Sequence, residues 1–79
     1  MENLPRIIAE LKEMEKRIDA KLDSILLQNP NPFPFERIKK GKRLKCFCRA
    51  SRLLIEADWV DDARILLEEM EKEGLKWRQ

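Results

Sequence analysis

Two cysteines, Cys46 and Cys48, are the residues of this sequence that could supply a nucleophilic or metal-binding thiol. They are two positions apart, so on a helix they point about 200° away from each other and cannot share a metal ion or bridge. The chain has no histidine to complete a zinc site or to act as a general base, and it has no Gly-rich phosphate loop. The sequence therefore predicts no metal, no cofactor and no enzymatic activity. We expect reduced thiols, with an intermolecular disulfide through Cys46 as the alternative.

Basic residues in the middle of the chain are the second feature with chemical potential. Residues 37–52 contain eight Lys or Arg and no Asp or Glu. Four of them follow steps of three, four and three, which place them on one helix face. We call this face the basic ridge: Lys42, Lys45, Arg49 and Arg52. Lys39, Lys40 and Arg43 lie beside it. Such a ridge suits the phosphates of a nucleic acid or an acidic protein surface. The alternative is a solvated face without a partner.

The basic ridge belongs to a predicted helix over residues 36–57, which we expect to be the central element of the fold. Its apolar residues form one wide arc and one narrower stripe. The arc comprises Gly41, Leu44, Phe47, Cys48, Ser51, Leu54 and Ile55, and the stripe comprises Cys46, Ala50, Leu53 and Ala57. Two apolar faces predict two helical neighbours. Because Gly41 disfavours helix, we expect the regular helix to begin only at Lys42.

A long first helix is predicted over residues 4–28. Asn3 suits the N-cap, Pro5 suits the first turn, and Pro30 disfavours helix in the residue before it. Its apolar stripe is longer than the third helix can cover, so we expect part of it to contact a second copy or another protein. The alternative is that helices two and three cover it together.

Glu15 lies inside the apolar arc of the first helix and needs a partner. We predict that Arg43 or Arg49 supplies it.

The connector over residues 29–35 contains prolines at three alternate positions, which exclude helix. We predict a rigid elbow in which Phe33 and Phe35 plug the end of the core. The alternative is a ligand for a groove that binds proline-rich segments.

The third helix is predicted over residues 59–73, with Asp58 as N-cap paired with Asp61 in a capping box. At its end, Gly74 suits the C′ position, where Leu75 can close back on Met70 in a Schellman motif. The buried face comprises Val60, Ala63, Leu66, Leu67 and Met70. Trp59, Ile65 and Trp77 remain as candidate apolar contacts with a partner. The alternative is that the two Trp residues cap the core and that Ile65 is an ordinary exposed side chain.

Residues 47–76, FCRASRLLIEADWVDDARILLEEMEKEGLK, resemble a single helical hairpin of the tetratricopeptide or pentatricopeptide repeat type. Phe47, Ala50, Ser51 and Ala63 match positions of that pattern. The resemblance covers less than half of the chain, and no second copy is present, whereas repeat arrays need about three units to bury a continuous core. It implies the geometry of a helix pair and carries over neither peptide nor RNA recognition.

Together these patterns predict an all-α fold, a three-helix bundle formed by one domain over residues 1–79. No apolar run approaches the ~20 residues of a membrane span, and the charged N-terminal residues do not suit a signal peptide, so we expect a cytoplasmic protein without membrane contact. The predicted function is a small adaptor or inhibitor that docks on a larger protein through the basic ridge. The alternative is RNA or DNA binding by the ridge, which lacks Asn or Gln for base edges and aromatic residues for stacking. A homodimer through the first helix is a further hypothesis.

Overall fold

A computed structural model describes residues 3–77 and shows three helices: α1 (Leu4–Gln28), α2 (Phe35–Glu56) and α3 (Val60–Lys72). No strand occurs among these residues. The predicted all-α three-helix bundle is therefore confirmed. The bounds of α1 agree with the prediction, whereas α2 begins and ends one residue earlier than predicted, and α3 is one residue shorter at each end.

The ends of α1 follow from its capping residues. The side-chain oxygen of Asn3 accepts a hydrogen bond from the backbone N–H of Arg6, and Pro5 lies in the first turn, where no N–H is needed. At the other end, Asn29 adopts a left-handed conformation with φ of 42° and donates its N–H to the carbonyl of Ile25. Pro30 then prevents continuation of the helix.

Helix α2 continues through Gly41, so the predicted start at Lys42 is wrong. Packing explains the difference, because a Cβ atom on Gly41 would lie 3.3 Å from Cδ2 of Leu22. The missing side chain lets α1 and α2 approach closely at this point. Close contact with α1 thus offsets the loss of about 1 kcal/mol in helix propensity.

The turn between α2 and α3 does not use Asp58 as an N-cap, so the predicted capping box with Asp61 is wrong. Asp58 has a left-handed φ of 68°, and the N–H groups of Asp58 and Trp59 donate to the carbonyls of Ile55 and Leu54. This is the Schellman geometry of a helix C-terminus. Asp58 therefore ends α2, and Trp59 precedes α3 without a side-chain cap.

The predicted Schellman motif at the end of α3 is present. Gly74 has a φ of 77°, its N–H donates to the carbonyl of Glu71, and the N–H of Leu75 donates to the carbonyl of Met70. The turn directs residues 75–77 back onto the bundle, where Leu75 and Trp77 join the core.

Helix α2 packs against both other helices, as predicted for the central element. The core includes Leu11 of α1, Cys48 of α2 and Met70 of α3, all fully buried. The prediction of two separate apolar faces on α2 is wrong, because Cys46, Leu53 and Ala57 of the narrower stripe are exposed. The neighbouring helices share the wide arc instead.

The difference in length between α1 and α3 divides the molecule into two halves. Helix α3 has 13 residues against 25 in α1, and it lies beside the second part of α2. We call residues 3–18 and 43–77 the covered half, and residues 19–42 the open half. The open half exposes Leu26, Leu27 and Phe35. Phe33 is half-buried and packs edge-to-face on Phe35, so the prediction that both rings plug the core is wrong for Phe35.

Candidate functional site

Ion pairs to α1 divide the basic ridge into two paired and two unpaired residues within the described part of the chain. Nζ of Lys45 lies 2.5 Å from Oδ1 of Asp19, and Nε of Arg52 lies 2.8 Å from Oε2 of Glu15. Lys42 and Arg49, by contrast, are exposed and make no ion pair with any described residue. Two of the four ridge residues thus hold the helices together, and two remain accessible to a partner.

Arg52 is the partner of Glu15, so the prediction of Arg43 or Arg49 is wrong. The two side chains are only 17% and 13% exposed, and Arg52 also contacts Glu56 one turn further along α2. The hydrogen bond to Glu15 raises the pKa of Arg52 further above its usual value, so the guanidinium stays charged. The antiparallel register decides the pairing, because it sets Arg52 opposite Glu15 while Arg49 faces outward.

Arg43 lies on the other side of α2 and contacts α3. Its Nε and Nη2 donate to Oε1 of Glu73 at 3.0 and 2.6 Å, and its guanidinium lies 5.5 Å from the centre of the Phe47 ring. The ion pair fixes the end of α3 on α2, while the ring contact lies within α2 and orients the guanidinium. Arg43 therefore has a structural partner within the chain.

The exposed part of the ridge shares a face with the stripe that was predicted to be buried. We call this the outer face: Lys39, Lys42, Cys46, Arg49 and Leu53, which follow steps of three and four along α2 and are all exposed. Lys39 also contacts Glu36 of the preceding turn at 3.7 Å. The outer face is therefore a mixed basic and apolar surface. Lys40 lies off this face and is exposed beside the groove described below.

The three candidate apolar contacts have different environments. Trp59 is 61% exposed and Ile65 is 58% exposed, so both are accessible to a partner. Trp77 is only 5% exposed and belongs to the core, so the alternative of core capping is confirmed for it and its prediction as a contact with a partner is wrong. Sequence periodicity ends with α3, and for this reason it gave no information on the side of the bundle to which residue 77 returns.

The two thiols also differ in environment. Cys48 is fully buried, and burial together with the negative charge of Glu15 raises its pKa to about 11. Its thiol is therefore protonated at neutral pH and a poor nucleophile. Cys46 is exposed on the outer face. Among residues 3–77, no group of three or more Asp, Glu or Cys side chains is arranged to hold a metal ion.

A groove between α1 and α2 is the feature that the sequence patterns missed. It has a volume of about 580 Å³ and extends from the border of the covered half into the open half. The apolar floor comprises Met14, Ile18, Leu22, Ile25, Gly41 and Leu44, and the rims carry Arg17 and Lys21 on α1 and Arg37 and Lys40 on α2. We call this the open groove.

The open groove exists because the chain covers only part of the α1–α2 pair. Trp77 lies in a cleft lined by Met14 and Arg17, which also border the open groove. Beyond this point no element within residues 3–77 covers the floor. The sequence did predict an apolar stripe longer than its internal cover. It did not show where the cover ends, because that depends on the path of residues 74–77.

Comparisons with known proteins gave no significant similarity: no family model matches the sequence, and neither a curated protein nor a solved structure matches the chain. The resemblance of residues 47–76 to a tetratricopeptide-type hairpin thus stays a prediction. None of the helices in the described part of the chain has an apolar stretch long enough to cross a lipid bilayer.

Proposed function

We propose that this chain is a small, non-enzymatic protein-interaction module, an adaptor or inhibitor, that docks on a larger protein by receiving one of its helices in the open groove. The observation that supports this function is the part of the apolar floor between α1 and α2 beyond Ile18, which no described element covers. Side chains such as Leu22 and Ile25 are only partly buried there. A helix seated on them would gain roughly 25 cal/mol for each Å² of apolar surface removed from water.

The geometry of the bundle favours a helix as the occupant. In the covered half, α3 packs on α2, and its buried residues complete the core together with Leu75 and Trp77. The open groove continues the α1–α2 pair without a third element. Two adjacent helices form a concave seat that matches the convex side of another helix, as in other recognition of an amphipathic helix by a groove.

The outer face supports docking in a second way. Lys42 and Arg49 extend into solvent without an ion pair in the described part of the chain. Exposed charges of this kind act mainly on the rate of association with an acidic partner. We therefore assign Lys42 and Arg49 to steering, with Trp59 and Ile65 as further exposed contacts.

Nucleic-acid binding is the second candidate function, and the exposed Lys39, Lys40, Lys42 and Arg49 support it. Titration with labelled single-stranded and duplex oligonucleotides at about 50 and 200 mM salt tests it, because phosphate contacts weaken steeply with salt. Micromolar binding with a steep salt dependence would favour this function. We expect weak binding, because Lys45 and Arg52 are already paired with carboxylates.

Selection from a random peptide library displayed on phage tests the docking function directly. We expect the selected peptides to be amphipathic helices with apolar residues at steps of three and four. The substitution Ile25→Asp places a charge on the groove floor and should weaken their binding by at least about ten-fold.

Leu27→Asp is the matched control. It makes the same charge change two residues away, at a side chain that is 86% exposed. Binding should persist in this variant, and circular dichroism should show that both variants are folded. Should Ile25→Asp lose helicity, Ile25→Gln replaces it. Selected peptides that bind all variants equally would contradict the proposed function.

A further inference from the structure

We propose that the helix received by the open groove is acidic as well as amphipathic, about three turns long, and carried by another protein. This inference rests on the proposed docking function and adds the chemistry of the partner. The observation behind it is the charge of the rims. Of the ten residues that line the groove, four are basic and none is acidic.

The rim charges are available to a ligand. Lys21, Arg37 and Lys40 are exposed and make no ion pair with any residue between 3 and 77. Arg17 contacts Glu13 at 3.6 Å, but both side chains are more than half exposed, and such a pair contributes little. Three of the four rim charges therefore have no ion pair in the described part of the chain, and the fourth is only weakly compensated. They lie beside an apolar floor that also lowers the local dielectric.

The positions of the rim residues define the ligand. Arg17 and Lys21 are one turn apart on α1, while Arg37 and Lys40 are three residues apart on the opposite rim. The floor extends from Met14 to Ile25, a length of about 17 Å at 1.5 Å per residue. A matching helix has an apolar stripe of about three turns with carboxylates on both sides of it. A basic helix would be repelled from both rims.

The chain itself contains one helix of this type. Helix α3 packs on α2 through Ala63, Leu67 and Met70, which lie on one face. Its exposed surface is mainly acidic, and Glu73 at its end pairs with Arg43 of α2. Lys40 lies three residues before Arg43 along α2, and Arg37 lies six residues before it. The contacts of α3 in the covered half thus illustrate the chemistry that we infer for the open half.

A second copy of this chain is a poor occupant. Two open grooves packed face to face would bring both sets of four basic residues together, which is unfavourable. The acidic outer side of α3 offers only one large exposed apolar side chain, Ile65, which is too little to fill the floor. A flat anionic bilayer does not match a concave seat between two helices. The occupant that fits both shape and charge is an acidic helix of a different protein.

The test uses two synthetic, fluorescently labelled peptides of about 14 residues, which span three to four helical turns. In the first, leucines form the apolar stripe and Glu residues flank it, while in the second each Glu is replaced by Lys. Anisotropy titration with the full chain at about 50 mM salt should give micromolar binding of the Glu peptide. The Lys peptide should bind at least about ten-fold more weakly.

Charge reversal locates the site. The double variant Lys21→Glu and Lys40→Glu should lose the preference for the Glu peptide. Lys16→Glu with Lys76→Glu changes the net charge equally at two exposed lysines outside the open groove and the outer face, and it is the matched control, which should keep the preference. Circular dichroism and thermal melting should show that both variants fold, because all four residues are exposed.

The possible failures are distinct. Equal binding of both peptides, lost in Ile25→Asp, would overturn the acidic partner and leave the docking function intact. Binding of neither peptide up to about 100 μM would overturn the inference. So would loss of binding only in the control variant, Lys16→Glu with Lys76→Glu. Stronger binding to phosphatidylserine vesicles than to the Glu peptide would replace the acidic helix by a membrane. Dimers in sedimentation that dissociate in Lys21→Glu with Lys40→Glu would replace it by a second copy.

Discussion

Helices α1 and α2 contribute similar apolar residues to the covered and open halves, yet only the covered half has a closed core. Leu11, Cys48, Ser51, Ala63 and Met70 are fully buried in the covered half, whereas no residue between 19 and 42 is buried. Leu11 and Leu27 belong to the same helix and are 0% and 86% exposed. Burial in this chain therefore depends on where α3 and residues 75–77 lie, more than on the apolar content of α1.

The largest expected effect comes from truncating one leucine in each half. Leu11→Ala should lower the free energy of unfolding by about 2–5 kcal/mol, because it leaves a cavity in a closed core. A domain of this size has only about 3–5 kcal/mol in total, so the variant should be largely unfolded. Leu27→Ala should change stability by no more than about 0.5 kcal/mol. Urea denaturation followed by circular dichroism measures both.

Similar losses in the free energy of unfolding for Leu11→Ala and Leu27→Ala would contradict the division into halves. That result would mean that the end of α1 is buried in solution, as in a dimer through the first helix. Sedimentation velocity of the unmodified chain then identifies that dimer.

The two cysteines should differ in reactivity by about 100-fold or more. Burial raises the pKa of Cys48 to about 11, so its thiolate is rare at pH 7, while Cys46 is exposed. Alkylation of the native chain, followed by mass spectrometry, should modify Cys46 rapidly and Cys48 only after addition of urea. Rapid modification of both thiols in the native chain would show that the covered core opens readily.

The raised pKa of Cys48 also has a consequence for stability. The unfolded thiol ionises near pH 9, while the folded thiol stays neutral up to about pH 11. The contribution of Cys48 is thus present below pH 9 and is lost as the pH rises toward 11. Cys48→Ala should remove this part of the alkaline pH dependence, as measured by urea midpoints at several pH values.

The two ion pairs between α1 and α2 should differ in strength. Glu15→Gln should destabilise the fold by about 1–3 kcal/mol, because it leaves the mostly buried guanidinium of Arg52 without its main partner. Asp19→Asn removes the more exposed contact with Lys45 and should cost at most about 1 kcal/mol. Thermal melting of both variants at low and high salt measures the difference.

Equal effects of Glu15→Gln and Asp19→Asn would show that the border between the halves lies further along α1 than residue 18. In that case the Asp19–Lys45 pair would be shielded from solvent as well.

The smallest expected effect is at Ser51. Its hydroxyl is fully buried, and its oxygen has no hydrogen-bond partner within the described part of the chain. Ser51→Ala removes this unpaired polar atom and should leave stability unchanged or raise it by up to about 1 kcal/mol. Urea denaturation measures the change. A loss of more than about 1 kcal/mol would indicate a buried water on the hydroxyl.

Local sequence patterns predicted the helices of this fold well, because caps and breakers act over a few residues. Asn3, Pro5 and Pro30 define α1, and Gly74 with Leu75 defines the end of α3. The pattern failed at Asp58, because this residue can either cap the start of α3 or end α2 in a left-handed conformation. It also failed at Gly41, because helix propensity carries no information on the approach of Leu22.

The candidate site was harder to predict, because it depends on the register between α1 and α2 and on which part of this pair the rest of the chain covers. The sequence identified Lys42, Lys45, Arg49 and Arg52 as one face, but only the register with α1 decides that Lys45 and Arg52 are paired. The open groove depends on two helices at once, and its rims contain Arg17 and Lys21, which no pattern in α2 could indicate. For Trp77 the sequence left core capping and partner contact open, because no periodicity extends past α3.

Methyl NMR of the chain with the Glu peptide tests the central claim most directly. With Ile and Leu methyl groups labelled, we expect the largest shift changes at Ile18, Leu22 and Ile25, together with NOEs from these methyls to the leucines of the peptide. The methyls of Leu53 and Ile65, on the outer face and on the exposed side of α3, should hardly change. Shift changes centred on Leu53 or Ile65, with Leu22 and Ile25 unaffected, would contradict docking in the open groove.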